Sequence, residues 1–158
     1  MQTESARMSS AAEARFRVQA PNSTPRVIKI IALDAAAEVA VRRLANAGWQ
    51  HATFFTAKSS DDALSDLAGG HRSTEEEIAR ADLVVLIAGP GGHAYAAPII
   101  GQACSARRVT TTGFVVNAIS ASEPDLSKTL IQLRPWSLMV VIAGSDEYLD
   151  DMMTALRA

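Results

Sequence analysis

The residues able to do chemistry in this 158-residue chain gather at two places. One is Asp34-Ala35-Ala36-Ala37, directly after an apolar run; the other is Gly89-Pro90-Gly91-Gly92-His93-Ala94-Tyr95, directly after a second. A glycine-rich turn that leads into a helix aims backbone N–H groups at an anion, and the helix dipole favours negative charge there. The amides of Gly91, Gly92 and His93 are therefore a candidate anion site. His93 stands in it either as a ligand contact or as an ordinary turn residue. Asp34 is either the N-cap of the following helix or an acidic group facing the same crevice.

Other chemistries find little to work with. His51, His71 and His93 lie roughly 20 residues apart, and Cys104 is the single cysteine, so neither metal-ligand spacing nor a disulfide is available. Cys104 falls among Ile99, Ile100 and Ala103, where a thiol behaves as a small hydrophobe. No G-x-S-x-G nucleophile elbow occurs. Asp34 as a phosphoacceptor would need a carboxylate after the third parallel strand and a Lys after the fifth, where Gly89 and Gly144 stand. An enzyme of another kind, using His93, Asp34 and Tyr95, stays open.

These loops need elements to hold them. Val27 to Leu33 is a nearly continuous apolar run, as in a strand buried on both faces. A helix follows over Asp34 to Ala47, with Gly48 as its stop. Thr53 to Ala57 reads as a second strand. Ser59-Ser60-Asp61-Asp62 caps a short helix ending at Gly69-Gly70, and the spacing of Ser73 and Glu76 opens another. Asp82 to Ala88 is a third strand, followed by a helix from Ala96 to Ala106. Strand Thr112 to Val116, helix Asp125 to Arg134, strand Leu138 to Ala143 and a helix from Asp146 complete the series. Such alternation predicts an α/β fold: three layers, α/β/α, around a five-stranded parallel sheet. The expected order runs from the strand near residue 54 at one edge through those near 30, 85, 115 and 140. Ligands bind such sheets where the strand order reverses, here between Leu33 and Ala88.

Composition narrows the partners. Apolar residues make up 48% and the formal charge is −2, without the basic footprint that nucleic-acid binding leaves. Arg42-Arg43 and Arg107-Arg108 read as solvated helix faces. No apolar stretch is long enough for a membrane span. Met1 to Ala20 lacks the pattern of a secretory signal, so a cytoplasmic location is expected. Residues 1–25 read as a flexible polar tail and 26–158 as one domain.

The order of these pieces resembles the nucleotide-binding domain of the FtsZ/tubulin family. Ala81 to Gly89, Gly91-Gly92 and Ala96-Ala97-Pro98-Ile99-Ile100 are similar to its strand, glycine-rich signature loop (GGGTGTG) and following helix. Phe54 to Leu64 looks like its second strand and the loop after it, usually NTDAQAL. The likeness extends over about residues 26–150 in degenerate, truncated form. The family's first glycine loop reads Asp34-Ala35-Ala36-Ala37 here. The signature loop is about two residues short and has lost its threonine. The Asn and Asp of the second loop become Lys58 and Ser60. The ribose-loop pattern survives as Ser122-Glu123-Pro124 with Lys128 nearby, and the family's catalytic acidic loop has no counterpart.

The resemblance implies a nucleotide site formed by Asp34, Lys58, Gly89, Gly91, Gly92, His93, Tyr95 and Glu123, with GTP or GDP as a weak ligand and no GTP hydrolysis. The expected function is a noncatalytic domain that binds a nucleotide or other anionic small molecule, as a sensor or accessory subunit. The alternative is a ligand-free protein-interaction module that keeps the fold alone. A protein partner or homo-oligomer suits either; nucleic acid and membrane suit neither.

Overall fold

The computed structural model describes residues 24–59 and 63–158. The tail expected over 1–25 falls outside them up to residue 23, as do Ser60, Asp61 and Asp62 of the expected helix cap. The chain runs β1 (Ile28–Ala32), α1 (Ala35–Ala45), β2 (Ala52–Thr56), β3 (Ala63–Asp66), β4 (His71–Ser73) and α2 (Thr74–Ala79). It continues with β5 (Leu83–Ala88), α3 (Ala97–Arg107), β6 (Thr110–Val115), α4 (Glu123–Leu133), β7 (Met139–Ile142) and α5 (Glu147–Leu156). Short 3-10 turns sit at Ala118–Ser120 and Arg134–Trp136.

The fold is α/β, with a mostly parallel sheet in the order β4-β3-β2-β1-β5-β6-β7. It has seven strands where five were expected. The strands near residues 30 and 85 are adjacent and central, paired in parallel from Ile28 with Leu83 to Ala32 with Ile87. The strand near 54 is no edge, because β3 and β4 extend the sheet beyond it in antiparallel pairing. That hairpin replaces the helix expected up to Gly69-Gly70. Its turn explains why. The Asp66 carboxylate accepts from the amides of Ala68 (3.0 Å) and Gly70 (2.8 Å), and Gly69 takes φ +91°. Side-chain bonding of this kind offers the backbone a turn in place of a helix. The Gly70 amide and, more weakly, those of Ala68 and Arg72's guanidinium hold the Asp66 carboxyl below its usual range.

The strands of β1 and β5 are buried along their whole length, as their nearly continuous apolar runs predict. Alternate residues feed two cores. Ile31, Leu33, Val84 and Leu86 meet Ile78 of α2, Ile100 and Cys104 of α3, and Leu130 and Leu133 of α4. Ile28, Ile30, Val85 and Ile87 meet Val41 and Leu44 of α1 and Leu149 and Met153 of α5. Each large side chain fully removed from water contributes about 1.5–3 kcal/mol before entropy is counted, so these two layers fix where the strands end. Cys104 is buried, as expected of a small hydrophobe, and burial pushes its thiol above the usual range, partly offset by the Thr111 hydroxyl.

One charged residue among those described lies within this frame. Lys29 of β1 is 6% exposed, donates to Glu77 of α2 at 2.9 Å and lies 5.6 Å from the centre of the Phe55 ring. Ser73 caps α2 by accepting from the Glu76 amide, as the spacing of the two residues predicts.

Candidate functional site

The chain brings Asp34 and the Gly89–Tyr95 loop together at the carboxyl ends of β1 and β5. It does so by contact. Asp34 has extended backbone (φ −147°) and caps α1: its Oδ1 accepts from the Ala37 amide at 2.8 Å. Its other oxygen, Oδ2, accepts from the amide of Gly89, 55 residues away, also at 2.8 Å. One carboxylate thus holds a helix N-terminal amide and an amide of the glycine loop, two donors of the kind an anionic ligand would use.

The glycines make this closeness possible. A Cβ on Gly89 would lie 2.7 Å from the Ala36 Cβ, and one on Gly92 would lie 2.5 Å from Asp34 Oδ2. The space expected between the two loops is occupied by Asp34 and Ala36 themselves. Gly91 takes φ +77°, and a Cβ there would lie 2.9 Å from the Asp125 carboxylate.

Helix α4 covers the loop from the other side. The Gly91 amide donates to Thr129 Oγ1 (3.0 Å) and to the Asp125 carbonyl (3.1 Å). Thr129, itself 1% exposed, donates its hydroxyl to the Gly89 carbonyl at 3.0 Å. The Ala94 amide donates to Gln132 Oε1 at 2.7 Å, while Gln132 Nε2 donates to the Gly92 carbonyl at 3.2 Å. Lys128 Nζ donates to the Gly91 carbonyl at 3.3 Å. Three loop amides, those of Gly89, Gly91 and Ala94, are therefore engaged by the protein's own oxygens. Those of Gly92 and His93 have no hydrogen-bond partner among the described residues.

Asp125, Thr129 and Gln132 were not among the residues singled out from the sequence. Their spacing held a signal: positions four and three apart lie on one helix face. That polar stripe on an otherwise apolar-faced helix needs partners, and the loop supplies them.

The remaining candidates sit around this closed centre. His93 and Tyr95 are exposed and stacked on each other, with ring centres 4.9 Å apart and planes 9° from parallel. Lys58 pairs with Glu38 in the first turn of α1, and Arg42 joins from four residues on. The bond from Lys58 chiefly, and that from Arg42, hold the Glu38 carboxyl below its usual range against a desolvation that raises it. Glu123 is exposed in the first turn of α4, with no ion pair among the described residues. Electrostatically the loop faces two carboxylates, Asp34 and Asp125. Cavities of about 470 and 440 Å³ lie elsewhere, one around Arg26, His51 and Arg157, the other around Gly101 and Trp136.

No three His, Cys, Asp or Glu side chains among the described residues are grouped to hold a metal ion. No helix among them is long and apolar enough to cross a membrane. No protein-family model matches the chain, and no curated protein matches it.

Proposed function

We propose that this chain is a noncatalytic domain of the FtsZ/tubulin type, a Rossmann-like three-layer α/β/α sandwich whose nucleotide crevice is filled by its own groups, and that it works as a protein-interaction module. The observation that carries this reading is the Asp34 carboxylate bonded at once to the Ala37 and Gly89 amides. It takes the place of an anion. A phosphate brought to the same amides would also meet that negative charge. Even at an effective dielectric near 20, a like charge about 4 Å away costs on the order of 4 kcal/mol, or nearly a thousandfold in affinity. The α4 side chains that bond Gly91 and Ala94 close the loop from behind. Protein is the partner class that fits, since the charge of −2 offers nucleic acid little.

The sensor reading keeps one observation in its favour. The Gly92 and His93 amides are unengaged among the described residues, and the stacked His93–Tyr95 pair offers a flat exposed surface beside them. A nucleotide could bind there only by using these two amides and the rings, outside the closed crevice. Titration calorimetry with GTP and with GDP, each with magnesium, separates the two. The module reading expects no binding heat up to millimolar nucleotide. Saturable heat that Gly92→Asp abolishes would establish the sensor instead.

A further inference from the structure

The two edges of the sheet differ in kind. The β4 edge is three residues long, His71-Arg72-Ser73, all exposed and polar, with a charged Arg72 in its centre. Natural sheets guard an edge in this way, with short strands and charges that refuse another strand. The β7 edge has no such guard. From Leu138 to Ala143 it reads Leu-Met-Val-Val-Ile-Ala, without a charge or a proline. Leu138 is 81% exposed, Met139 56% and Ile142 48%. Ile119, at 85%, lies beside Gly144 at the strand's far end.

Among the described residues, the backbone of this edge is unpartnered on one side. β7 is the last strand of the sheet, paired in parallel to β6 from Met139 with Thr112 to Ile142 with Val115. The Ala143 amide donates inward, to the Val115 carbonyl at 3.0 Å. Because strand groups alternate in direction, Val140 and Ile142 turn their N–H and C=O groups outward. We propose that a second copy of this chain pairs with that edge, β7 against β7 in antiparallel register about a two-fold axis, so that two sheets join into one. This rests on the interaction-module reading and names its partner.

Symmetry restricts the register. A two-fold axis perpendicular to the sheet keeps each face of one copy level with the same face of the other, so opposed residues must share parity. With the axis at Val141, Val140 stands opposite Ile142 of the second copy, and the reverse, and each opposed pair exchanges two hydrogen bonds. Met139 then stands opposite the second copy's Ala143, which closes both exposed faces of the strand with apolar contacts. The surface is self-complementary, as an isologous contact requires.

The charges at the strand's two ends fit the same arrangement. Arg134, just before the strand, and Glu147, just after it, are both exposed and have no ion pair among the described residues. Antiparallel pairing brings the Arg134 end of one copy beside the Glu147 end of the other, twice. A parallel contact would set like ends together.

Sedimentation equilibrium on the full chain tests this, with nucleotide titrated into the same sample so that the crevice is read separately. The expected result is twice the chain mass at micromolar concentration. Met139→Lys and Ile142→Lys, each placing a charge at an exposed edge position, should give monomers with unchanged circular dichroism and melting. If one of the two fails to fold, the other carries the test. Arg134→Glu and Glu147→Arg should each weaken the dimer several-fold, and the double reversal should restore it. A monomeric wild type would overturn the proposal, as would a dimer indifferent to both lysine variants. Nucleotide binding, by contrast, would overturn the reading of a module without nucleotide and leave the dimer standing.

Discussion

Asp34 is legible in the sequence in one of its two roles. A short acidic residue between a buried strand and an apolar-periodic helix is a helix cap, and it caps α1 as expected. Its second bond, to Gly89, joins residues 55 apart and leaves no local trace. Nor does the reason for Gly92, whose missing Cβ lets Asp34 Oδ2 approach. The two bonds of Asp34 make a graded prediction. Asp34→Ala loses the cap, about 1 kcal/mol, and strands the buried Gly89 amide, about 1–3 kcal/mol more. At this size each kcal/mol lowers the melting temperature by about 2–4 °C. Asp34→Asn retains one acceptor oxygen and should cost roughly half as much. Thermal unfolding of the two variants measures both; equal melting temperatures for wild type and Asp34→Ala would mean the carboxylate holds nothing. Of the residues the family likeness adds, Lys58 pairs with Glu38 in the first turn of α1 and Glu123 lies in the first turn of α4, where negative charge favours a helix start.

At the scale of elements, runs of apolar residues were readable and pairings were not. The strands of β1 and β5 announced themselves because both faces are buried, so every position but Lys29 is apolar. The β3–β4 hairpin hid because Leu64 and Leu67 are three apart, a helical interval, while the Asp66 side chain closes a turn that hydrophobic spacing does not record. Lys29 hid differently: it sits inside an apolar strand, and only the fold shows that α2 brings Glu77 to it at 2.9 Å. A buried ion pair is costly to break and cheap to replace. Glu77→Ala should therefore destabilise by about 3–5 kcal/mol, because Lys29 keeps a buried charge with no counter-ion. Lys29→Met combined with Glu77→Ala should recover most of that loss, since methionine fills the same space against Phe55 without a charge. Denaturant unfolding of the single and double variants checks it; a double variant as unstable as Glu77→Ala alone would mean that lost packing, and not the stranded charge, sets the cost.

Across the whole molecule, the alternation of strands and helices carried the α/β class, because long-range parallel pairing requires crossovers whose lengths the sequence displays. The state of the crevice was not carried, since it depends on whether two loops touch or stand apart, and a few ångströms decide that. The consequence reaches the behaviour of the assembly. In the reading proposed here, the edge that joins two copies lies at β7, two strands from the closed crevice at the ends of β1 and β5. Self-association and nucleotide should then be uncoupled, because a ligand shifts an equilibrium only by its differential affinity for the two states. At millimolar GTP with magnesium, light scattering and sedimentation should match those without nucleotide, and phosphate release should stay at the level of buffer. Among the described residues the cation at the loop is Lys128, which donates to the Gly91 carbonyl at 3.3 Å, so one positive charge faces the two carboxylates Asp34 and Asp125 and the triphosphate meets a net negative site. GTP-dependent growth in scattering would show that the loop opens and that the edge senses it. Turnover clearly above buffer, abolished by substitution of Gly91 or Gly92, would overturn the noncatalytic reading as a whole.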